Sequence, residues 1–211
     1  MEILGFVDNN VSLDWINAAG GKVINLLCKG SYRHVTQQLR NTPEEHLENI
    51  AKSVEYATKL GITTNIYLED WSNGMRNSPD YVDFMINGLK DLNVSRIMLP
   101  DTLGILSPDE TFEFLSGILK KYPDVTFDYH AHNDYDLATA NVFAALRAGI
   151  RCLHTTVNGL GERAGNVPLS SVVAVVKDHF KYDMSVVESK LNKISRMVES
   201  FSGIRVPSNK P

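Results

Sequence analysis

The residues best suited to chemistry lie in Phe127-Asp-Tyr-His-Ala-His-Asn-Asp134 and in Asn158-Gly-Leu-Gly-Glu-Arg-Ala-Gly-Asn166. Strand side chains two apart share a face, so a strand over 126–132 projects His130 and His132 to one side, at its carboxyl end. Two imidazoles placed this way form half a metal site; they equally form a pair of hydrogen-bonded structural histidines. Further polar residues fall at or just past the ends of other strand-like runs: Glu69 after 63–68, Asp101 and Thr102 after 96–99, and Asn158 after 152–157. Alone, Glu69 reads as a solvated loop acid, Thr102 as a turn or capping hydroxyl, and Asn166 as a residue turning the chain ahead of Pro168.

The elements that must position these residues alternate. Apolar runs at 3–7, 22–28, 63–68, 96–99, 126–132 and 152–157 read as strands, and helical patterns separate them. A helix over 12–19 takes Ser12 as its cap, and 31–39 is helical. Thr42, Pro43 and Glu45 form a capping box ahead of Leu47, Ile50, Ala51, Val54, Ala57 and Leu60 at helical spacing, and Gly61 ends that helix. Residues 69–74 read as a polar loop; helices follow over 81–92, from Ser107-Pro108 to Lys121, over 136–148 closed by Gly149, over 169–180 and over 185–202.

Six strand–helix units predict an α/β protein with parallel strands. An open doubly wound sheet would be complete at this length, whereas a (β/α)8 TIM barrel needs eight units and about 250 residues. The polar residues decide between them. They lie at the ends of several different strands, which a barrel gathers into one ring, and the first strand lacks the Gly-x-Gly-x-x-Gly of a dinucleotide fold. The expectation is an incomplete TIM barrel lacking the first two βα units, with residues 1–183 as a partial catalytic barrel. Residues 184–211 are then a helical extension leading to an accessory region.

Composition excludes other classes. The chain has 211 residues, a net charge of −4 and no basic run, so it carries no nucleic-acid footprint. No apolar stretch approaches the ~20 residues of a membrane helix, and the start has no signal-peptide pattern. Cys28 and Cys152 lie in apolar runs, which suits buried thiols in a reducing, cytoplasmic compartment. His154 reads as structural; His34, His46 and His179 read as surface residues; Asp101 and Asp134 read as loop holders; Glu162 and Arg163 read as a structural pair.

Taken together, His130-Ala-His-Asn-Asp134, Asn158 to Asn166 and Leu99-Pro-Asp-Thr-Leu-Gly104 resemble the metal-dependent acyl-CoA synthase and lyase barrel family. That family includes 2-isopropylmalate, homocitrate and citramalate synthases and hydroxymethylglutaryl-CoA lyase. The resemblance spans essentially the whole chain, from the third family strand to just beyond the eighth. Glu2 to Asp8, Asn25-Leu-Leu27 and Tyr67 to Gly74 resemble the citramalate synthase branch most. It implies a Claisen condensation of acetyl-CoA with a 2-oxo acid, either pyruvate to citramalate or 2-oxoisovalerate to 2-isopropylmalate, in leucine and isoleucine biosynthesis.

The resemblance also implies roles. His130 and His132 bind a divalent metal (Mg, Mn or Zn), and Asn166 is a ligand or a group just behind the ligands. Thr102 binds the oxo-acid carboxylate, Glu69 assists deprotonation of the acetyl group, and Leu4, Leu27 and Tyr67 surround the oxo-acid side chain. A homodimer is expected. The family's first-strand Arg-Asp pair, which supplies a metal ligand and an oxyanion partner, has no counterpart here. Two neutral histidines and an amide are a weak site for a hard cation, and an open sheet exposes its edges, so this chain alone is expected to be poorly active. Two alternatives stand beside this reading: a hydroxyacyl-CoA lyase of the same family, and a non-catalytic barrel remnant that binds an oxo acid or a partner subunit.

Overall fold

The computed structural model describes residues 1–207; residues 208–211, the end of the expected extension, lie outside the described residues. Six parallel strands form one sheet in the order β1 (Ile3–Phe6), β2 (Val23–Lys29), β3 (Thr63–Glu69), β4 (Ile97–Asp101), β5 (Phe127–Ala131) and β6 (Cys152–His154). Each strand neighbours the next in sequence. A doubly wound sheet reverses its order at a switch point; this one never does, which makes it part of a barrel wall.

The α-helices are α1 (Val11–Ala18), α2 (Pro43–Lys59), α3 (Trp71–Asn77), α4 (Pro79–Leu89), α5 (Pro108–Lys121), α6 (Ala138–Ala148), α7 (Leu169–Val175) and α8 (Leu191–Ser202), joined by π-helical segments at His34–Leu39 and Val176–Phe180 and a 3-10 turn at Glu188–Lys190. The core lies between sheet and helices. Ile24, Leu26, Ile66, Leu68, Ile97, Leu99 and Tyr129 from the strands pack with Ile50 and Val54 of α2, Met85 and Ile86 of α4, Leu115 of α5 and Val142 of α6. The alternate strand residues form the opposite, inner face. There Phe6, Leu27, Tyr67, Met98, Asp128 and Cys152 stand in one continuous register. At the β1 edge this inner face is open: Leu4 is 53% and Phe6 52% exposed.

The capping box of α2 forms as the residue types predict. Glu45 donates its N–H to Thr42 Oγ1 (3.1 Å) and accepts the Thr42 N–H (2.8 Å), worth about 1 kcal/mol of helix stability. Ser107 and Glu110 repeat it at α5.

Four local expectations are corrected. Ser12 is not a cap: α1 starts at Val11 behind Asn10, and Asp8 accepts the Ser12 N–H at 3.1 Å and its O–H at 2.6 Å. Part of the 69–74 loop is helical, because α3 packs so closely that a Cβ on Gly74 would lie 2.0 Å from the Gly30 carbonyl oxygen. The sixth strand is shorter than expected, since the chain turns after His154 into a 3-10 turn at Val157–Gly159. His46 is 1% exposed rather than on the surface, because its Nε2 accepts the Lys29 N–H at 3.0 Å.

Candidate active site at the carboxyl ends of the strands

The ends of β3, β4 and β5 are locked together by side chains. Asp101 ends β4 fully buried, and its two carboxylate oxygens accept the N–H groups of Ile105 (3.1 Å) and Leu106 (3.0 Å), fixing the loop after it. Thr102 Oγ1 accepts the Asp70 N–H at 2.8 Å, which ties the β3 end to the β4 end. Asp70 turns the chain there in the left-handed region (φ 66°), and its carboxylate is held by Ser31 (2.7 Å) and Asn73 (2.8 Å). Arg163 of the glycine-rich loop donates two hydrogen bonds to Asp134 (2.8 and 2.9 Å) and one to the Thr102 carbonyl (2.8 Å). Glu162 lies 3.6 Å from Arg163, so Asp134 is the stronger partner and the pairing expected with Glu162 is secondary.

That clamp lets the glycine-rich loop fold back onto β5. The Asn133 N–H donates to the Gly165 carbonyl (2.9 Å), the Val167 N–H to the Ala131 carbonyl (3.1 Å), and His132 pairs antiparallel with Asn166. The loop needs glycine for this. Gly165 has φ +87°, and a Cβ there would sit 2.0 Å from the Gly159 carbonyl oxygen; one on Gly161 would sit 2.1 Å from the Asn166 amide nitrogen.

Four predicted site residues, His130, His132, Asn166 and Tyr67, lie at adjacent positions. The His130 and His132 rings lie 4.9 Å apart, and the Tyr67 ring lies 5.8 Å from His130. Asn166 spends its amide N–H on the Leu160 carbonyl (3.1 Å). His130 Nδ1, His132 Nδ1 and Asn166 Oδ1 are buried with no hydrogen-bond partner among the described residues. Buried polar atoms are seldom left so, and these three orphans are two nitrogens and one oxygen of the kind a divalent ion takes. Burial pushes the His130 pKa down to about 3, helped by the neighbouring His132 and His154. Burial and then Arg163 lower His132. Both imidazoles are therefore neutral at pH 7, the form that ligates metal. The donor set fits a divalent cation, with its two imidazole nitrogens favouring Zn over Mg.

Glu69 is the last residue of β3, registered opposite Lys29 of β2, and the two form an ion pair. Lys29 is the residue that reading the sequence missed; its one signal is a charged group ending a mostly apolar strand. Leu27 and Tyr67 are registered together on the inner face, with Phe6 beside them. Leu4 stands one step lower, opposite Asn25, so Phe6 rather than Leu4 shares their row.

A second polar cluster lies below His130. Asp128, Cys152 and His154 present ligand-type atoms within 4.8 Å of one another. This cluster already holds a cation: Arg96 Nη1 is 3.2 Å from Asp128 Oδ2 and 3.6 Å from Cys152 Sγ, and Arg96 also pairs with Glu2. His154 Nε2 is 3.2 Å from the same Asp128 oxygen. Arg96 offsets the buried carboxylate, so the cluster is an internal ion network linking β1, β4, β5 and β6.

Comparison with known proteins agrees with the architecture. Residues 7–198 match the HMGL-like family. The homocitrate synthase of Saccharolobus islandicus strain L.S.2.15 is 39% identical over 178 residues, covering 84% of this chain and 38% of the relative. That of Sulfurisphaera tokodaii is 40% identical with the same coverage. The chain therefore spans well under half the length of these curated relatives. Among solved structures, Bacillus subtilis HMG-CoA lyase superposes with a TM-score of 0.82 at 22% identity, covering 98% of this chain and 72% of that one. An Acinetobacter baumannii HMG-CoA lyase in complex with coenzyme A and 3-methylmalate gives 0.78 at 20% identity, covering 98% and 70%. The barrel wall, the paired histidines and the matched residues place this chain in the HMGL-like family.

Proposed function

We propose that the protein containing this chain condenses acetyl-CoA with a 2-oxo acid, pyruvate first and 2-oxoisovalerate second, as a citramalate or 2-isopropylmalate synthase of leucine and isoleucine biosynthesis. The observation that carries this reading is the set of orphaned donors on His130, His132 and Asn166, beside Glu69 and Thr102 at the neighbouring strand ends. His130, His132 and Asn166 would hold a divalent metal, which when bound supplies Lewis-acid polarisation of a carbonyl. Thr102 accepts the Asp70 N–H, which leaves its own O–H to donate to the oxo-acid carboxylate. Glu69 takes a proton from the acetyl methyl group. Leu27 and Tyr67, with Phe6 and Leu4, line the side-chain end.

Charge supports a monocarboxylic oxo acid. Three cations at these strand ends have acid partners among the described residues: Lys29 has Glu69, Arg96 has Glu2 and Asp128, and Arg163 has Asp134. A product such as homocitrate needs a second carboxylate on the oxo acid, and one step below Leu27 and Tyr67 the described inner face carries the Asn25–Asn65 pair, with the Glu2 carboxylate 3.4 Å from Asn65. In this reading residues 1–183 belong to the catalytic barrel and 184–211 to an extension, and the protein is a cytoplasmic homodimer. No described helix is long and apolar enough to cross a membrane.

The test is thiol release from acetyl-CoA by the full-length protein with pyruvate, 2-oxoisovalerate and 2-oxoglutarate. Turnover greatest with pyruvate is expected. Preference for 2-oxoglutarate would overturn the substrate assignment, and cleavage of a hydroxyacyl-CoA without condensation would overturn the reaction.

A further inference from the structure

Lys29 is built into the site more firmly than a surface lysine. It is 8% exposed, on the inner face at the carboxyl end of β2. Both of its backbone polar groups are held by helix side chains: its N–H donates to His46 Nε2 (3.0 Å) and its carbonyl accepts the Tyr81 O–H (2.8 Å). The next residue donates its N–H to the Glu69 carbonyl (2.6 Å), and a Cβ on Gly30 would lie 2.6 Å from the Leu68 carbonyl oxygen. The two strand ends are thus locked, and the ammonium and the carboxylate must face each other. An ammonium has three donors; one serves Glu69, and no other acceptor for Nζ is present among the described residues.

We propose that Lys29 is the oxyanion partner of Glu69 in forming the enolate of the acyl thioester, an assignment that rests on the condensation reading above. Removing a proton beside a thioester carbonyl leaves charge on the carbonyl oxygen, and a base alone does nothing for that charge. In this step the methyl C–H bond breaks and its proton passes to the Glu69 carboxylate. The C–H electron pair forms the new C=C bond, and the carbonyl π pair moves onto oxygen. A Lys29 N–H directed at that oxygen meets the charge as it develops, and the remaining pairing orients Glu69. Burying the lysine half of this ion pair carries a desolvation cost, and this arrangement gives it a use that plain packing would not.

The experiment compares Lys29→Met, Lys29→Arg and Lys29→Cys in the full-length protein, with folding followed by circular dichroism. Loss of one such donor predicts that kcat of Lys29→Met falls about 10²-fold or more while KM for the oxo acid holds. Aminoethylation of Lys29→Cys, which rebuilds the ammonium, restores turnover. The proposal is overturned if folded Lys29→Met keeps kcat within about threefold of the parent, or if the loss appears as a matching rise in KM for the oxo acid. It is also overturned if Lys29→Met unfolds and neither Lys29→Arg nor aminoethylated Lys29→Cys, once folded, exceeds background turnover, since the lysine would then serve the fold alone. A parent protein that catalyses no condensation defeats the underlying reading instead, and is seen before any variant is made.

Discussion

His46 makes the fold acid-sensitive in a calculable way. Its ring is buried on α2 and accepts the Lys29 N–H through Nε2, which requires that nitrogen to be unprotonated. Burial first, and the Lys29 charge second, push its pKa from 6.5 down to about 4. The unfolded chain then binds the proton more tightly than the native one. The native state consequently loses stability as pH falls from about 6.5 towards 4, with no further loss from this group below that. A depression of that size corresponds to about 3 kcal/mol, at 1.36 kcal/mol per pH unit. His46→Gln keeps an acceptor near the position of Nε2 and removes the titration. Urea unfolding at pH 7, 6, 5 and 4, at constant ionic strength, should show the parent losing about 3 kcal/mol more than the variant over that range. Carboxylates titrate in both proteins and cancel in the difference. Parallel stability curves for the two proteins would refute the claim that His46 is neutral in the fold.

Two further perturbations address the loops. Gly165→Ala places a side chain at φ +87° and drives its Cβ into the Gly159 carbonyl. A loss of at least about 1–2 kcal/mol is expected from the backbone conformation alone, with weaker metal binding because Asn166 moves with the loop; urea unfolding and metal titration read the two effects. Thr102→Val leaves the Asp70 N–H without its acceptor, costing about 1–3 kcal/mol and raising KM for the oxo acid, whereas Thr102→Ser should restore both in unfolding and steady-state assays.

The parts of the fold legible in the sequence are those set by local physics. Alternating apolar runs and helical spacing mark the strands and helices, and Thr42 with Glu45 and Ser107 with Glu110 announce their capping boxes. His-x-His spacing on a strand is enough to put His130 and His132 on one face. The misses share a different origin. Trp71–Asn77 has weak helical propensity and is helical because Gly74 packs against Gly30. His46 looks solvent-facing beside its charged neighbours, and only the distant Lys29 N–H explains its burial. Lys29 and Glu69 are 40 residues apart in sequence, so their pairing follows from strand register, which a single sequence does not display. Asn166 enters the candidate site through family resemblance alone, because its return to β5 depends on the Arg163–Asp134 clamp.

On the reading proposed above, His130 and His132 together hold a metal ion. Pulsed electron paramagnetic resonance of Mn2+ bound to the full-length protein tests it most directly, since imidazole nitrogens couple to the bound ion. Nitrogen coupling from two histidines is expected in the parent, from one in His132→Ala, and a further loss in the double variant with His130→Ala. Bound Mn2+ with no nitrogen coupling, or coupling unchanged in His132→Ala, would contradict it.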